Sequence, residues 1–187
     1  MNLYTSIPFS PDKNLVKAYN DEVKRVPKDN DFLILKDHDA HFTTYYWYNQ
    51  IFDYIKRYPE CRFFTGVTNR INETNMHQKA SLRITGDDFK QHWRIGGETY
   101  IAFRNQIIDY SVPKPCHLSG FLMVIQKKLW KEIGGFKPWD EQSNILGVDS
   151  RMHQDLFEAG KKVYVMKAVY MYHVYRFGNL WDKSHLV

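Results

Sequence analysis

Phe32-Leu33-Ile34-Leu35-Lys36-Asp37-His38-Asp39 is the stretch that decides the fold. Four apolar residues in a row suit a strand covered on both faces, because successive side chains point to opposite sides. Two carboxylates come at once after them, two positions apart, so in extended chain they point the same way. Open α/β sheets bind their ligands outside the carboxyl ends of the strands. Two acids on one side of such an end can face one hard cation and the phosphates it holds. A solvated turn accounts for the same residues without chemistry. Position separates this pair from Asp29-Asn30-Asp31, which precedes the apolar run instead of coming after it.

Working outward, strands and helices alternate. Leu3 to Phe9 reads as a short strand ended by Pro8 and Pro11, and Asp12 then caps a helix with Leu15, Tyr19, Val23 and Val26 on one stripe. Thr43 or Thr44 caps a second helix that Pro59 stops after Tyr58, and Cys61 to Val67 is the next strand. This β-α-β-α-β start predicts an α/β domain, a mostly parallel sheet flanked by helices. Residues 69–115 form a variable loop and helical insertion in which Gly96-Gly97 interrupts the one helical stretch. Leu118 to Ile125 is strand-like, Gln126 to Ile133 a short helix closed by Gly134-Gly135, Asp149 to Ala159 a helix, and Val163 to Val174 a strand.

Length and composition agree. At 187 residues and 43% hydrophobic, the chain has the length of one domain. A chain of that size buries roughly 70% of its unfolded surface and needs no disulfide or metal staple. The mean hydropathy is −0.55, and the longest apolar run, Phe121 to Ile125, is far short of a membrane span. A net charge of +5 favours anionic ligands. Cys61 and Cys116 are isolated from one another and stand in no metal-ligand spacing. With no leader pattern at Met1-Asn2-Leu3-Tyr4, they point to a reducing, cytoplasmic setting. Asn72-Glu73-Thr74 matches a glycosylation sequon, which carries no information in that setting.

Two more residues can carry chemistry. His173 shares a strand face with Val169 and Met171, as a core histidine would, but it lies at the strand's end, where a ligand would be. Asp149 opens a helix, either as its cap or as a general base held at the helix start. Tyr45-Tyr46-Trp47-Tyr48 reads as helix packing or as a sugar-stacking platform, and Trp139 comes after Pro138 in an irregular segment that suits stacking on an acceptor. Lys36 stands where it can neutralise a phosphate.

Taken in order, several segments resemble the GT-A glycosyltransferases, most closely the family 2 type. They are Thr5-Ser6-Ile7-Pro8-Phe9, Ala18-Tyr19-Asn20, the strand with Asp37 and Asp39, Leu118-Ser119-Gly120-Phe121, Ile133-Gly134-Gly135-Phe136, Leu146-Gly147-Val148-Asp149 and His173. The resemblance covers about two-thirds of the chain and leaves residues 69–115 outside it. It implies a GT-A-like, Rossmann-like domain over residues 1–187 that moves a sugar from a nucleotide-sugar, UDP- or GDP-linked, to a glycan or other hydroxyl acceptor, with Mn²⁺ or Mg²⁺. By that resemblance Asp37, Asp39 and His173 hold the metal. Ile7, Pro8, Phe9, Asn20, Lys36, Asp37, His38, Ser119 and Gly120 line the donor site. Asp149 is the base of an inverting reaction, and the insertion at 69–115 is the candidate acceptor region. The chain departs from the pattern at Val148, where family members carry an acid, and in its single helix between the first strand and the acidic pair. Two other readings stand beside this one: a metal-dependent phosphoesterase using Asp37, Asp39 and His173, and a non-catalytic glycan- or nucleic-acid-binding module. Nucleic acid is not expected as a partner of the enzyme.

Overall fold

The computed structural model describes residues 1–71, 77–80, 88–111, 118–140 and 147–174. The elements in chain order are β1 (Leu3–Ser6), α1 (Leu15–Arg25), β2 (Phe32–Lys36), β3 (Ala40–Phe42), α2 (Trp47–Arg57), β4 (Phe63–Thr68), α3 (Phe89–Phe103), β5 (Ile107–Asp109), β6 (Leu122–Gln126), α4 (Lys127–Glu132), α5 (Val148–Glu158) and β7 (Tyr164–His173). The strands form one sheet in the order β1-β2-β6-β4-β7-β3, with β5 also paired to β7.

Each central strand feeds both faces by its alternation. Leu33 and Leu35 of β2 join Met123 and Ile125 of β6 in a core covered by α1, α4 and α5. Phe32 and Ile34 join Leu122 and Val124 in a second core beneath Ile51, Tyr54 and Ile55 of α2. The α/β class expected from the sequence is what the structure has.

The sheet is mixed, not mostly parallel, which corrects the expectation from the sequence. β1–β2 and β4–β7 are parallel pairs, whereas β2–β6, β4–β6, β3–β7 and β5–β7 are antiparallel. The reversal comes from where the chain enters β6. Phe121 O accepts from Asp37 N at 3.2 Å, just past the end of β2, so β6 starts where β2 stops and runs back along it. At the other end Lys127 N donates to Asp31 O at 3.0 Å and Lys128 N to Asp29 O at 2.8 Å.

Three helices differ from expectation for local reasons. Asn14, not Asp12, caps α1, its Oδ1 accepting from Lys17 N at 2.8 Å. α2 starts at Trp47 because Ala40 to Phe42 are drawn into pairing with β7, and Thr43 Oγ1 donates to Tyr170 O at 3.0 Å instead of capping a helix. α3 runs unbroken through Gly96-Gly97. Gly96 is a contact glycine: a β-carbon there would sit 2.3 Å from Thr43 Oγ1 and 2.9 Å from Thr43 O.

β7 bulges as it crosses β4. Thr65 pairs with Val165 but Val67 with Tyr170, so β7 carries extra residues between the two pairs. Bulges bend a strand and re-aim its later side chains. The bulged backbone lies over Gly66, where a β-carbon would come within 2.6 Å of Val169 O. Its freed donors are satisfied by Tyr54, whose hydroxyl oxygen accepts from Ala168 N at 3.3 Å, and by Gln106 O, which accepts from Lys167 N at 3.1 Å.

Candidate functional site

With these strand directions, the carboxyl ends of β1, β2, β4 and β7 and the start of β6 share one edge of the sheet. Asp37, His38 and Asp39 form a tight turn there between β2 and β3, closed by Ala40 N donating to Asp37 O at 3.2 Å. Lys36 clasps the turn from within, its ammonium donating to Asp37 O at 2.8 Å and to Ala40 O at 2.7 Å. Burial draws the Lys36 pKa below its usual range, against the pull of Asp37 and Asp39. Two of its three protons therefore hold backbone, which makes Lys36 a brace of the acidic turn.

The turn sends β3 back along β7 with Ala40 opposite His173. This register brings Asp37, Asp39 and His173 together: one ligand atom from each lies within 4.8 Å of the others, an arrangement that could hold a metal ion. His173 Nε2 is 3.2 Å from Asp39 Oδ1, and the two side chains are 14% and 12% exposed. Both ring nitrogens of His173 are buried, and neither makes a hydrogen bond. Buried polar nitrogens without such bonds are uncommon in folded chains, and a role as metal ligand is one that accounts for them. An imidazole nitrogen and a carboxylate oxygen this close can both ligate one cation. His38, at the tip of the turn, is exposed.

Asp149 reaches the same edge from α5. Gly147 is the N-cap of α5, so Asp149 lies inside the first turn and is not the cap. Its Oδ2 accepts from Gly120 N at 2.8 Å and its Oδ1 from Ser150 N at 2.8 Å. Burial raises the Asp149 pKa, and the charge of Asp37 adds to the rise, while the two N–H donors oppose it. The buried Tyr19 hydroxyl is also raised, by burial and then by the charges of Asp37 and Asp149. The two carboxylates thus share one neighbourhood.

The remaining expected residues divide between the edge and the scaffold. Gly120 holds Asp149 through its N–H, and Ser119 immediately precedes it. Asn20 is a bracket: its Oδ1 accepts from Phe136 N and Trp130 Nε1, both at 2.8 Å, and its Nδ2 donates to Phe136 O at 2.9 Å. That role ties α1 to the Gly134-Gly135-Phe136 turn and leaves little of the amide for a nucleotide. Ile7 and Phe9 are exposed beyond β1 and line a groove of about 400 Å³ along α1 with Lys17 and Asp21, while Pro8 lies between them. Trp139 covers the start of α5, so close that a β-carbon on Gly147 would fall 2.9 Å from its own. The four-aromatic run divides, with Trp47 stacked on Phe42 and the Tyr48 hydroxyl donating to Leu3 O, while Tyr45 and Tyr46 are exposed. Asp31 is a buried anchor that accepts from Asn2 N at 2.7 Å, in keeping with its place before the strand. Cys116 and Asn72-Glu73-Thr74 lie outside the described residues, as does most of the insertion's loop.

Sequence reasoning missed two carboxamides. Asn69 Oδ1 accepts from His173 N at 2.8 Å, and its Nδ2 donates to His173 O at 3.1 Å. Gln78 does the same for Ser119, accepting from its N at 2.8 Å and donating to its O at 3.0 Å. Both side chains are buried. The signal available was a polar residue directly after an apolar strand, as at Asn69, whereas nothing local marks Gln78. Among the described residues no helix is long and apolar enough to cross a membrane. Compared with protein-family models and with curated protein sequences, the chain has no match in either.

Proposed function

We propose that this chain is a metal-dependent, GT-A-like glycosyltransferase that moves a sugar from a nucleoside-diphosphate donor to an acceptor hydroxyl, with inversion. The single observation behind the reading is that Asp37, Asp39 and His173 meet at one sheet edge beside a raised carboxyl, Asp149. The donor set fits the ion: two hard carboxylates with one imidazole suit Mn²⁺, and Mg²⁺ less closely. A divalent ion there would act as a Lewis acid, offsetting the negative charge that develops on a departing diphosphate.

The chain's own residues do the rest. Asp37 and Asp39 bring ligand atoms within 4.8 Å of one another and of His173 at a braced turn, and a diphosphate would lie beside them. Asp149 takes the proton of the acceptor hydroxyl as the acceptor oxygen bonds to the anomeric carbon. The bond to the diphosphate breaks with its electron pair leaving on the phosphate oxygen. A carboxylate with a raised pKa is the better base, since proton transfer is most effective when the pKa approaches the working pH. Gly120 N–H holds Asp149 in place, and Trp139, over the same helix start, is the stacking surface for an acceptor. Ile7, Pro8 and Phe9 are the donor-base candidates.

A thermal-shift panel of Mn²⁺ and Mg²⁺ with UDP and GDP, alone and combined, tests the reading. Stabilisation by a nucleoside diphosphate that requires the metal is expected, and Asp39→Ala abolishes it. Asp149→Ala keeps the shift while the release of nucleoside diphosphate from the cognate nucleotide-sugar falls by about 10²-fold or more. A panel with no metal-dependent shift sinks the proposal. Mn²⁺-dependent hydrolysis of a simple phosphomonoester, without turnover of any nucleotide-sugar, would assign the same cluster to a phosphoesterase.

A further inference from the structure

We infer that Asn69 is a positioning residue for His173, standing in for a strand residue that the sheet lacks. The inference rests on the metal reading above, but its argument is one of backbone pairing. His173 ends β7 with Ala40 opposite it on β3. The bond to β3 is made one residue further on, from Val174 N to Asp39 O at 3.0 Å. Hydrogen-bonded and non-bonded pairs alternate along an antiparallel ladder. Ala40 and His173 are therefore a non-bonded pair, and the N–H and C=O of His173 turn toward β4.

β4 has already ended there. Its last residue, Thr68, pairs with Met171, two positions before His173. The group that meets His173 is the side chain of Asn69, which accepts from its N at 2.8 Å and donates to its O at 3.1 Å. A carboxamide offers the donor and acceptor of a peptide unit, so it continues the ladder by one step. The Thr68 hydroxyl donates to the same Oδ1 at 3.2 Å, which fixes the orientation of the amide.

With its N–H and C=O held by Asn69 and the next residue hydrogen-bonded to Asp39, the backbone that carries the His173 ring is fixed on both sides. The ring lies with its centroid 6.2 Å from that of Phe121, and its Nε2 faces Asp39 at 3.2 Å. Loss of the carboxamide would leave the part-buried N–H and C=O of His173 without their partner at the residue that carries the ring. Outer partners that orient a ligating residue typically change metal affinity by about 10–100-fold.

The test uses Mn²⁺ alone as the probe, titrated by electron paramagnetic resonance into the full chain, together with a metal-free measurement of ring proximity between His173 and Phe121 by nuclear Overhauser effects. Asn69→Ala is expected to weaken Mn²⁺ binding by about 10–100-fold and to lose the His173–Phe121 effect, while effects within the α2 core persist. Binding within threefold of the parent, with the ring effect intact, overturns the inference. If Asn69→Ala does not fold, Asn69→Ser, which keeps one backbone partner, is read by the same two measurements and limits. If the parent takes up no Mn²⁺, the metal reading fails separately, and the ring effect alone decides: its survival in Asn69→Ala overturns the positioning role, and its loss supports it.

Discussion

The Cys61 thiol donates to Phe63 O at 3.0 Å from a position 1% exposed, and burial pushes its pKa up to about 12 from an ordinary 9.0. In the unfolded chain it ionises near the ordinary value, so the stabilisation from keeping it neutral is complete below pH 9 and is lost as pH rises toward 12. The loss amounts to at most ~1.4 kcal/mol per pH unit. Cys61→Ala should therefore unfold at lower denaturant at pH 8 yet lose less further stability than the parent between pH 9 and 10.5. Equal slopes would mean that the thiol titrates in the folded state. The residue scale also shows what a sequence can disclose. Asp37, Asp39 and His173 were legible because they fall at the ends of apolar strands, where an α/β sheet binds its ligands. Asn69 and Gln78 were not, because a carboxamide that pairs with backbone has no partner type to search for. Asn20 stood out through a family resemblance alone, and its contacts make it a bracket.

At the scale of elements, α3 carries two adjacent glycines with opposite surroundings. Gly96 faces Thr43 so closely that a β-carbon would overlap it, whereas Gly97 has nothing within 4 Å. Gly96→Ala should destabilise by ~1–3 kcal/mol through overpacking. Gly97→Ala should stabilise by ~0.5–1 kcal/mol, since alanine gives up less freedom in a helix. Urea denaturation of both variants checks the pair, and a shared sign would show that α3 does not lie on Thr43 in this way. The same helix explains a failure of sequence reading: a Gly-Gly step looks like a break when its partner, far off in the chain, is unseen. β6 gives a second. Leu122 to Ile125 is apolar on both faces, and such a strand reads the same whether it runs with its neighbours or against them. β3 gives a third, since three residues are too few for period-2 alternation to register.

Over the whole molecule, the two halves of the proposed site hang on different layers. Asp37, Asp39 and His173 sit on strands of the sheet and the turn between them, while Asp149 rides on α5 and reaches Gly120 across 29 residues of chain. Ligand held at the edge should therefore be felt locally first. At 100 times its Kd, a nucleoside diphosphate with Mn²⁺ should stabilise the protein by ~2.7 kcal/mol. Hydrogen exchange should slow most at the amides of Ala40, Gly120, Ser150 and His173, and less at those of α2 on the opposite face. Uniform slowing across α2 and the edge would place the ligand elsewhere.

The position of β7 has a bearing on biosynthesis. It pairs with β4 on one side and with both β5 and β3 on the other, yet it comes after all of them in the chain. While a ribosome is still reading residues before Tyr164, β3 and β5 have no strand to join among the described residues, and Asp39 lacks the imidazole of His173. The nascent polypeptide thus carries Asp37 and Asp39 without His173 until β7 is made. The Asp37–Asp39–His173 group, which could hold a metal ion, is complete only when the tenth residue of that strand emerges, so any cation it takes would have to wait until the sheet is whole.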